Sequence, residues 1–260
     1  MTIQKQLNDL QITPKSHPSH YMLHKYWGRK PYNLISEYIS IFTKPGDTVI
    51  DPFMGSGGVV IEANKMSRKG IGVDLNPMAC LIVNETLKRN VDYNKLKEEF
   101  NRIIDSIPDE VINLTYTKDH KGNLQLIDNA VWEHGNLTRI KYYTDGARTL
   151  KDADKFDQTN VKSAKKMLQK YHNLGVIDYP KDEIMTYVKR SGKSHIYELF
   201  TDRNLLIAAF FMSGIRDVKD KNIRESLTLI FTSALPNFSS MIPGNAATVN
   251  GRSGWQISKF

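Results

Sequence analysis

The sequence is poor in cysteine, in acids relative to bases, and in long apolar runs. Cys80 is the only cysteine among 260 residues. That excludes an intrachain disulfide and any cysteine-rich zinc site, and it fits a reducing cytoplasm. No apolar stretch reaches the ~18 residues that span a bilayer. Met1 to Leu10 is polar and has no signal-peptide core, so no membrane partner is expected. The ten prolines include no adjacent pair. Acids number 28 against 36 bases, a net charge of +8 with a pI near 9.3. This surplus favours a polyanionic partner, nucleic acid first. With 40% hydrophobic and 25% charged residues, the chain is neither disordered nor fibrous, and it is long enough to bury a core.

What is present begins with a basic arm, residues 1–32. Lys15 to Lys30 holds four bases, three histidines and no acid, with Tyr21, Tyr26 and Trp27 interleaved. Lys25, Tyr26, Trp27 and Arg29 are the candidates there for stacking bases and meeting phosphates. His17, His20 and His24 are spaced by three and four, but Pro18 argues for a loop rather than a metal-binding helix. Asn33 is expected to cap a helix to about Thr43, with Leu34, Ile35, Tyr38, Ile39 and Phe42 on one face.

Thr48-Val49-Ile50 reads as a buried strand ending at Asp51, followed by Gly55-Ser56-Gly57-Gly58 and a helix from about Val59 to Ser67. Gly70 is expected to close that helix. A second strand, Ile71 to Leu75, and a helix opened by Pro77 and reaching about Arg89 complete a right-handed βαβ unit. A helix is predicted over Lys95 to Ile107. Hairpins are predicted over 111–150, with turns at Lys121-Gly122-Asn123, His134-Gly135-Asn136 and Asp145-Gly146. Residues 151–195 read as charged and mostly helical, Leu199 to Leu235 as two helices, and 237–254 as loop. Lys162 to Lys170 reads as a basic run on a solvated helix face, with phosphate contact as the alternative.

A glycine-rich turn at the carboxyl end of a parallel strand is where open α/β sheets bind nucleotide-like ligands. A P-loop and a dinucleotide fingerprint both require glycine at position 60, which is Val60. The P-loop fails on this, the dinucleotide reading is weakened, and S-adenosylmethionine is the third reading. It offers an ammonium that Asp51 can meet and a ribose diol that Asp74, at the next strand end, can accept. Gly55 and Gly57 leave room for the methionine and ribose. The blander readings are an Asx turn for each aspartate and turn geometry alone for the glycines.

Asp51-Pro52-Phe53-Met54-Gly55-Ser56-Gly57-Gly58 resembles the cofactor motif of the DNA amino-methyltransferases, which act on adenine N6 or cytosine N4. His24-Lys25-Tyr26-Trp27-Gly28-Arg29-Lys30-Pro31 is similar to the motif that closes over the cofactor there. Gly72-Val73-Asp74-Leu75-Asn76-Pro77 is similar to the ribose-binding strand. A weaker likeness, at Leu199 to Leu205 and Phe231 to Pro236, is to large bacterial methylases with a long insertion between cofactor and catalytic motifs. The resemblance implies an α/β fold: a partial Rossmann-like S-adenosylmethionine methyltransferase sheet with a mostly helical and β-hairpin insertion. The expected domains are the arm 1–32, the cofactor core 33–93, the insertion 94–195 and a helical segment 196–260. It implies S-adenosylmethionine at Lys30, Pro31, Asp51, Pro52, Phe53, Gly55, Gly57, Asp74 and Asn76, and DNA as partner, with adenine N6 the favoured target. The family's catalytic motif, an Asp, Asn or Ser followed by Pro-Pro and an aromatic, is absent. The expectation is therefore a chain inactive by itself, with the remaining strands beyond Phe260 or on a second polypeptide carrying the catalytic half. A degenerate or regulatory protein and an RNA methyltransferase stay open.

Overall fold

In the computed structural model, residues 12–88, 90–133, 135–184, 193–244 and 254–257 are described. They form two units, one of residues 1–96 with 220–233, the other of 97–219 with 234–260. Residues 220–233 thus join the N-terminal unit, whereas the sequence groups them with 196–260.

The first unit is built on β1 (Thr48–Asp51) and β2 (Lys69–Gly72), parallel and in register from Thr48 opposite Lys69 to Asp51 opposite Gly72. Between them runs α2 (Gly58–Lys65), with α1 (Tyr32–Phe42) before and α3 (Pro77–Leu87) after. α2 lies close on β2 because β2 carries two glycines. A Cβ at Gly70 would come within 2.7 Å of Val60 O, and one at Gly72 within 2.3 Å of Met54 Sδ. Gly70 is therefore a strand residue and not the expected helix cap; α2 ends at Lys65 with Met66 as its cap, and Ser67 takes the left-handed turn with φ 63°. Regular β2 pairing stops at Gly72 and not at Leu75, although Val73 N still donates to Asp51 O at 2.9 Å.

Asn33 does not cap α1. Its side chain bonds the arm, accepting from Lys15 N at 3.1 Å and donating to Thr13 O at 2.9 Å. Pro31 holds the cap position instead. On the expected apolar face only Ile39 is buried, while Tyr38 and Phe42 are exposed and stack on each other at 6.3 Å. α3 starts as expected, with Asn76 Oδ1 accepting from Met78 N at 3.0 Å and Pro77 in the first turn. Its buried Ala79 and Val83 pack with Met54 and Val60, and Cys80 sits partly buried against them. Ile82 and Glu85 are buried too, and Glu85 accepts from Ser226 Oγ at 2.5 Å.

The second unit opens in α4 (Tyr93–Asp105) and the short α5 (Asp109–Ile112). The hairpins come next as a four-stranded antiparallel sheet in sequential order: β3 (Tyr116–Lys118), β4 (Leu124–Glu133), β5 (Asn136–Thr144) and β6 (Ala147–Asp152). Asp145 and Gly146 both have positive φ, at 51° and 75°, as a two-residue I′ turn demands. One sheet face buries Leu137, Ile140 and Tyr142 against Val161 of α6 (Lys155–Asn173). Asp154 and Asp157 form a capping box at the start of α6. Further along the same face of α6, Ala164 and Leu168 pack with Ile107, Val111, Leu206 and Phe210. The last two belong to α7 (Asp202–Arg216), which is followed by α8 (Lys221–Phe238).

Two expectations change here. Among the described residues of 151–195, helix is realised in α6 alone, because Gly175, at φ 68°, takes the left-handed stop position and 174–184 has no helix. The loop expected at 237–254 contains β7 (Met241–Gly244), antiparallel to β8 (Gly254–Ile257). Pro and Gly at the end of β7 hide it from a strand pattern. Arg89, His134, 185–192 and 245–253, which these expectations touched, lie outside the described residues.

Candidate cofactor cleft and its arm

Beyond the carboxyl ends of β1 and β2, a cleft of about 490 Å³ opens between the glycine loop and the arm, within the size range of small-molecule sites. The loop supplies Asp51, Phe53, Gly55 and Ser56; the strand end supplies Asp74; the arm supplies His17, Tyr26, Trp27, Arg29 and Lys30. Residues predicted separately for cofactor and for nucleic acid thus share one wall. Pro31, Pro52, Gly57 and Asn76 stand outside the lining, and so does Lys25.

Asp51 and Asp74 both use a carboxylate oxygen locally. Asp51 Oδ1 accepts from Phe53 N at 3.1 Å. Asp74 Oδ1 accepts from Asn76 N at 2.8 Å, and its Oδ2 accepts from Gly55 N at 2.8 Å. The Asx turns of the blander reading are therefore present. Asp74 does more, because its second oxygen ties the glycine bend to the end of the neighbouring strand. A carboxylate has about four lone-pair sites, so each aspartate keeps acceptor capacity for a ligand.

Gly55 and Gly57 both have positive φ, 52° and 79°, which an L side chain enters at a cost. Their surroundings differ. A Cβ on Gly55 would lie 3.2 Å from the Tyr26 ring on the cleft side, whereas one on Gly57 would strike Val83 Cγ2 at 2.2 Å. Gly57 is thus needed for packing α3 against the loop. Phe53 is 88% exposed and Trp27 66%, so two aromatic faces stand free at the cleft. Tyr26 packs against the Met54–Val83 cluster.

Arg29 is committed to the protein. Its Nε donates to Ser56 Oγ at 3.0 Å, one terminal nitrogen donates to His24 O at 2.8 Å, and the other donates to Tyr21 O. One guanidinium thereby fastens the arm to the glycine loop. Burial lowers its pKa.

Tyr21, buried, donates its hydroxyl to Glu62 Oε1 at 2.8 Å. Ser36 Oγ donates to Glu62 Oε2 at 2.7 Å, and Lys65 Nζ lies 2.8 Å from Oε1. Burial pushes the Glu62 carboxyl up, but the bonds from Lys65, Ser36 and Tyr21 outweigh it and hold the group below its ordinary value. Burial first, then the bond to Glu62, drives the Tyr21 hydroxyl far up. Sequence reasoning passes over Ser56 and Glu62 as parts of this site, and it offers Tyr21 as a base-stacking or pocket-covering ring, not as a donor to a buried carboxylate. The readable signal for Glu62 is one acid inside the apolar run Val59 to Ala63. His17 and His20 flank the Tyr21 ring at 5.3 and 4.5 Å. Among the described residues no cluster of three or more His, Cys, Asp or Glu is placed to hold a metal, and no helix is long and apolar enough to cross a membrane.

Residues 4–85, which include this whole cleft, match the family described as DNA methylase, of the N6 and N4 kind. The segment is therefore similar to the DNA amino-methyltransferases. Over 222 residues the chain is 26% identical to the type II methyltransferase M.MjaII of Methanocaldococcus jannaschii, covering 81% of this chain and 38% of that protein. M.HpaI of Haemophilus parainfluenzae is 31% identical over 117 residues, 44% of this chain and 37% of that protein. M.Cfr9I of Citrobacter freundii is 47% identical over 47 residues, 18% of this chain and 16% of that protein. The chain thus spans less than two fifths of each of these methylases. No solved structure matches it.

Proposed function

We propose that the chain is the S-adenosylmethionine-binding part of a DNA methyltransferase acting on an exocyclic base amine, with adenine N6 the target to test first. The observation that carries the reading is the placement of Asp51 and Asp74 on either side of Gly55, at the ends of two paired parallel strands, in a cleft roofed by the arm. S-adenosylmethionine would supply an electrophilic methyl group. Asp51 would face its ammonium, and Asp74 the ribose hydroxyls. Phe53 and Trp27, the exposed aromatic faces, would cover the adenine. Lys30, on the cleft wall, would meet the carboxylate. Arg29 would hold the arm over the ligand.

We also propose that methyl transfer requires residues outside this sequence. A flipped base amine needs acceptors for its protons and an aromatic platform, and no Pro-Pro-aromatic motif offers them here. The sheet supports this. A parallel sheet is normally covered on both faces, yet on the side away from α2, Ile50 is 63% exposed, Val73 56% and Leu75 fully exposed. The missing strands and helices would come from further chain or from a second polypeptide.

Calorimetry tests the first proposal. The chain should bind S-adenosylmethionine, and Asp74→Ala should abolish the binding while the far-ultraviolet spectrum is kept. Absence of binding, or tighter binding of a nicotinamide nucleotide, overturns it. Methyl transfer to duplex DNA by the chain alone would overturn the second proposal.

A further inference from the structure

We propose that the exposed lysine face of α6, in the second unit, lies along the phosphate backbone of duplex DNA. α6 carries five lysines and one aspartate, so it holds four of the chain's eight surplus positive charges. Lys155, Lys162 and Lys166 are exposed and recur at intervals of seven and four, a single stripe on a helix. The neighbouring positions on that face, Thr159 and Gln169, are neutral hydrogen-bonding residues.

The stripe has no acid to answer it. Asp157 is buried, accepting from Thr117 Oγ1 at 2.6 Å and lying 2.9 Å from Lys151 Nζ. The cap residue Asp154 is also held by Lys151, at 2.7 Å. Other bases are answered, Lys170 at the end of α6 by Glu110, Arg102 by Glu99 in α4 and Lys221 by Glu225 in α8. Among the described residues no ion pair is found for Lys155, Lys162 or Lys166.

The shape selects the partner. The apolar side of α6 is already buried in the core, so the helix has no free face to sink into a lipid surface. The stripe has no aromatic or aliphatic anchor of the kind that carries protein–protein affinity. The lysines are spaced roughly 10 and 6 Å along the axis, against a duplex that carries one charge per ~1.7 Å. Contacts of this type fix register without reading sequence.

The test uses the full chain, a fluorescent DNA duplex, no methyl donor, and anisotropy over a salt series. It is therefore independent of the cofactor reading and shares with it only the premise that DNA is the partner. The variant K155Q/K162Q/K166Q is compared with K44Q/K121Q/K219Q, which removes the same charge from exposed sites elsewhere. The stripe variant should flatten the dependence of log affinity on log salt by about 2.7, and K162Q alone should weaken binding roughly eightfold at 0.1 M salt. Circular dichroism should show unchanged helix. Equal losses in both triple variants, no loss in a folded stripe variant, absence of DNA binding by the parent chain, or a loss confined to an RNA duplex would each overturn the proposal.

Discussion

Glu62 is 3% exposed and is held by three donors from three parts of the chain. Its folded pKa lies below the ordinary carboxylate value of 4.5. The stability it contributes is therefore fully present above that value and is lost as pH falls through the lower, folded one. Denaturation followed from neutral pH down to acid should show this loss, and Glu62→Gln should flatten it. Tyr21→Phe leaves a buried carboxylate oxygen short of one donor and should cost about 1–3 kcal/mol, read as a shift of the urea midpoint. Gly57→Ala meets both an unfavourable φ and Val83. It should destabilise by about 2 kcal/mol or more, with the larger part relieved if Val83 is also cut to alanine.

Among the elements, those with a local chemical signal were legible. The βαβ order, Pro77 opening α3 and the turn at Asp145-Gly146 each depend on residues adjacent in sequence. The aspartate pair and the glycine bend could be placed for the same reason. What stayed hidden depends on distance in the fold. Gly70 looks like a helix cap until the approach of Val60 O makes it a packing glycine. Nothing beside Gly57 announces that Val83 will arrive against it from α3. Arg29 looks free to meet phosphate because nothing in the local sequence announces that Ser56, His24 and Tyr21 will take its donors. As the arm's fastening, Arg29→Ala should make residues 12–31 a preferred site of limited proteolysis while the melting temperature of the rest changes little. Leu206, fully buried in α7, marks the other extreme, and Leu206→Ala should cost about 2–5 kcal/mol in chemical denaturation.

At the scale of the molecule, the two-stranded parallel sheet is left uncovered on one face. Ile50 and Ile71 are register partners, and both project from the face that α2 does not cover. With Val73 and Leu75 they leave a stripe of aliphatic surface in water. The isolated chain should bind an apolar dye in its native state and melt below about 60 °C. The variant I50T/V73T/L75T should lower the dye signal without lowering the midpoint. A dark native state, or a melting point well above that temperature, would contradict the incomplete sheet. The first unit also draws on both halves of the gene. Glu85 is buried early in the sequence and finds its hydroxyl donor 141 positions later, at Ser226. During synthesis on the ribosome, the N-terminal unit therefore stays unfinished while the entire hairpin-bearing segment is being made. A stop codon anywhere within that segment strands Glu85 without its donor, so shortened translation products should go to the proteases and not persist as small, independently folded fragments.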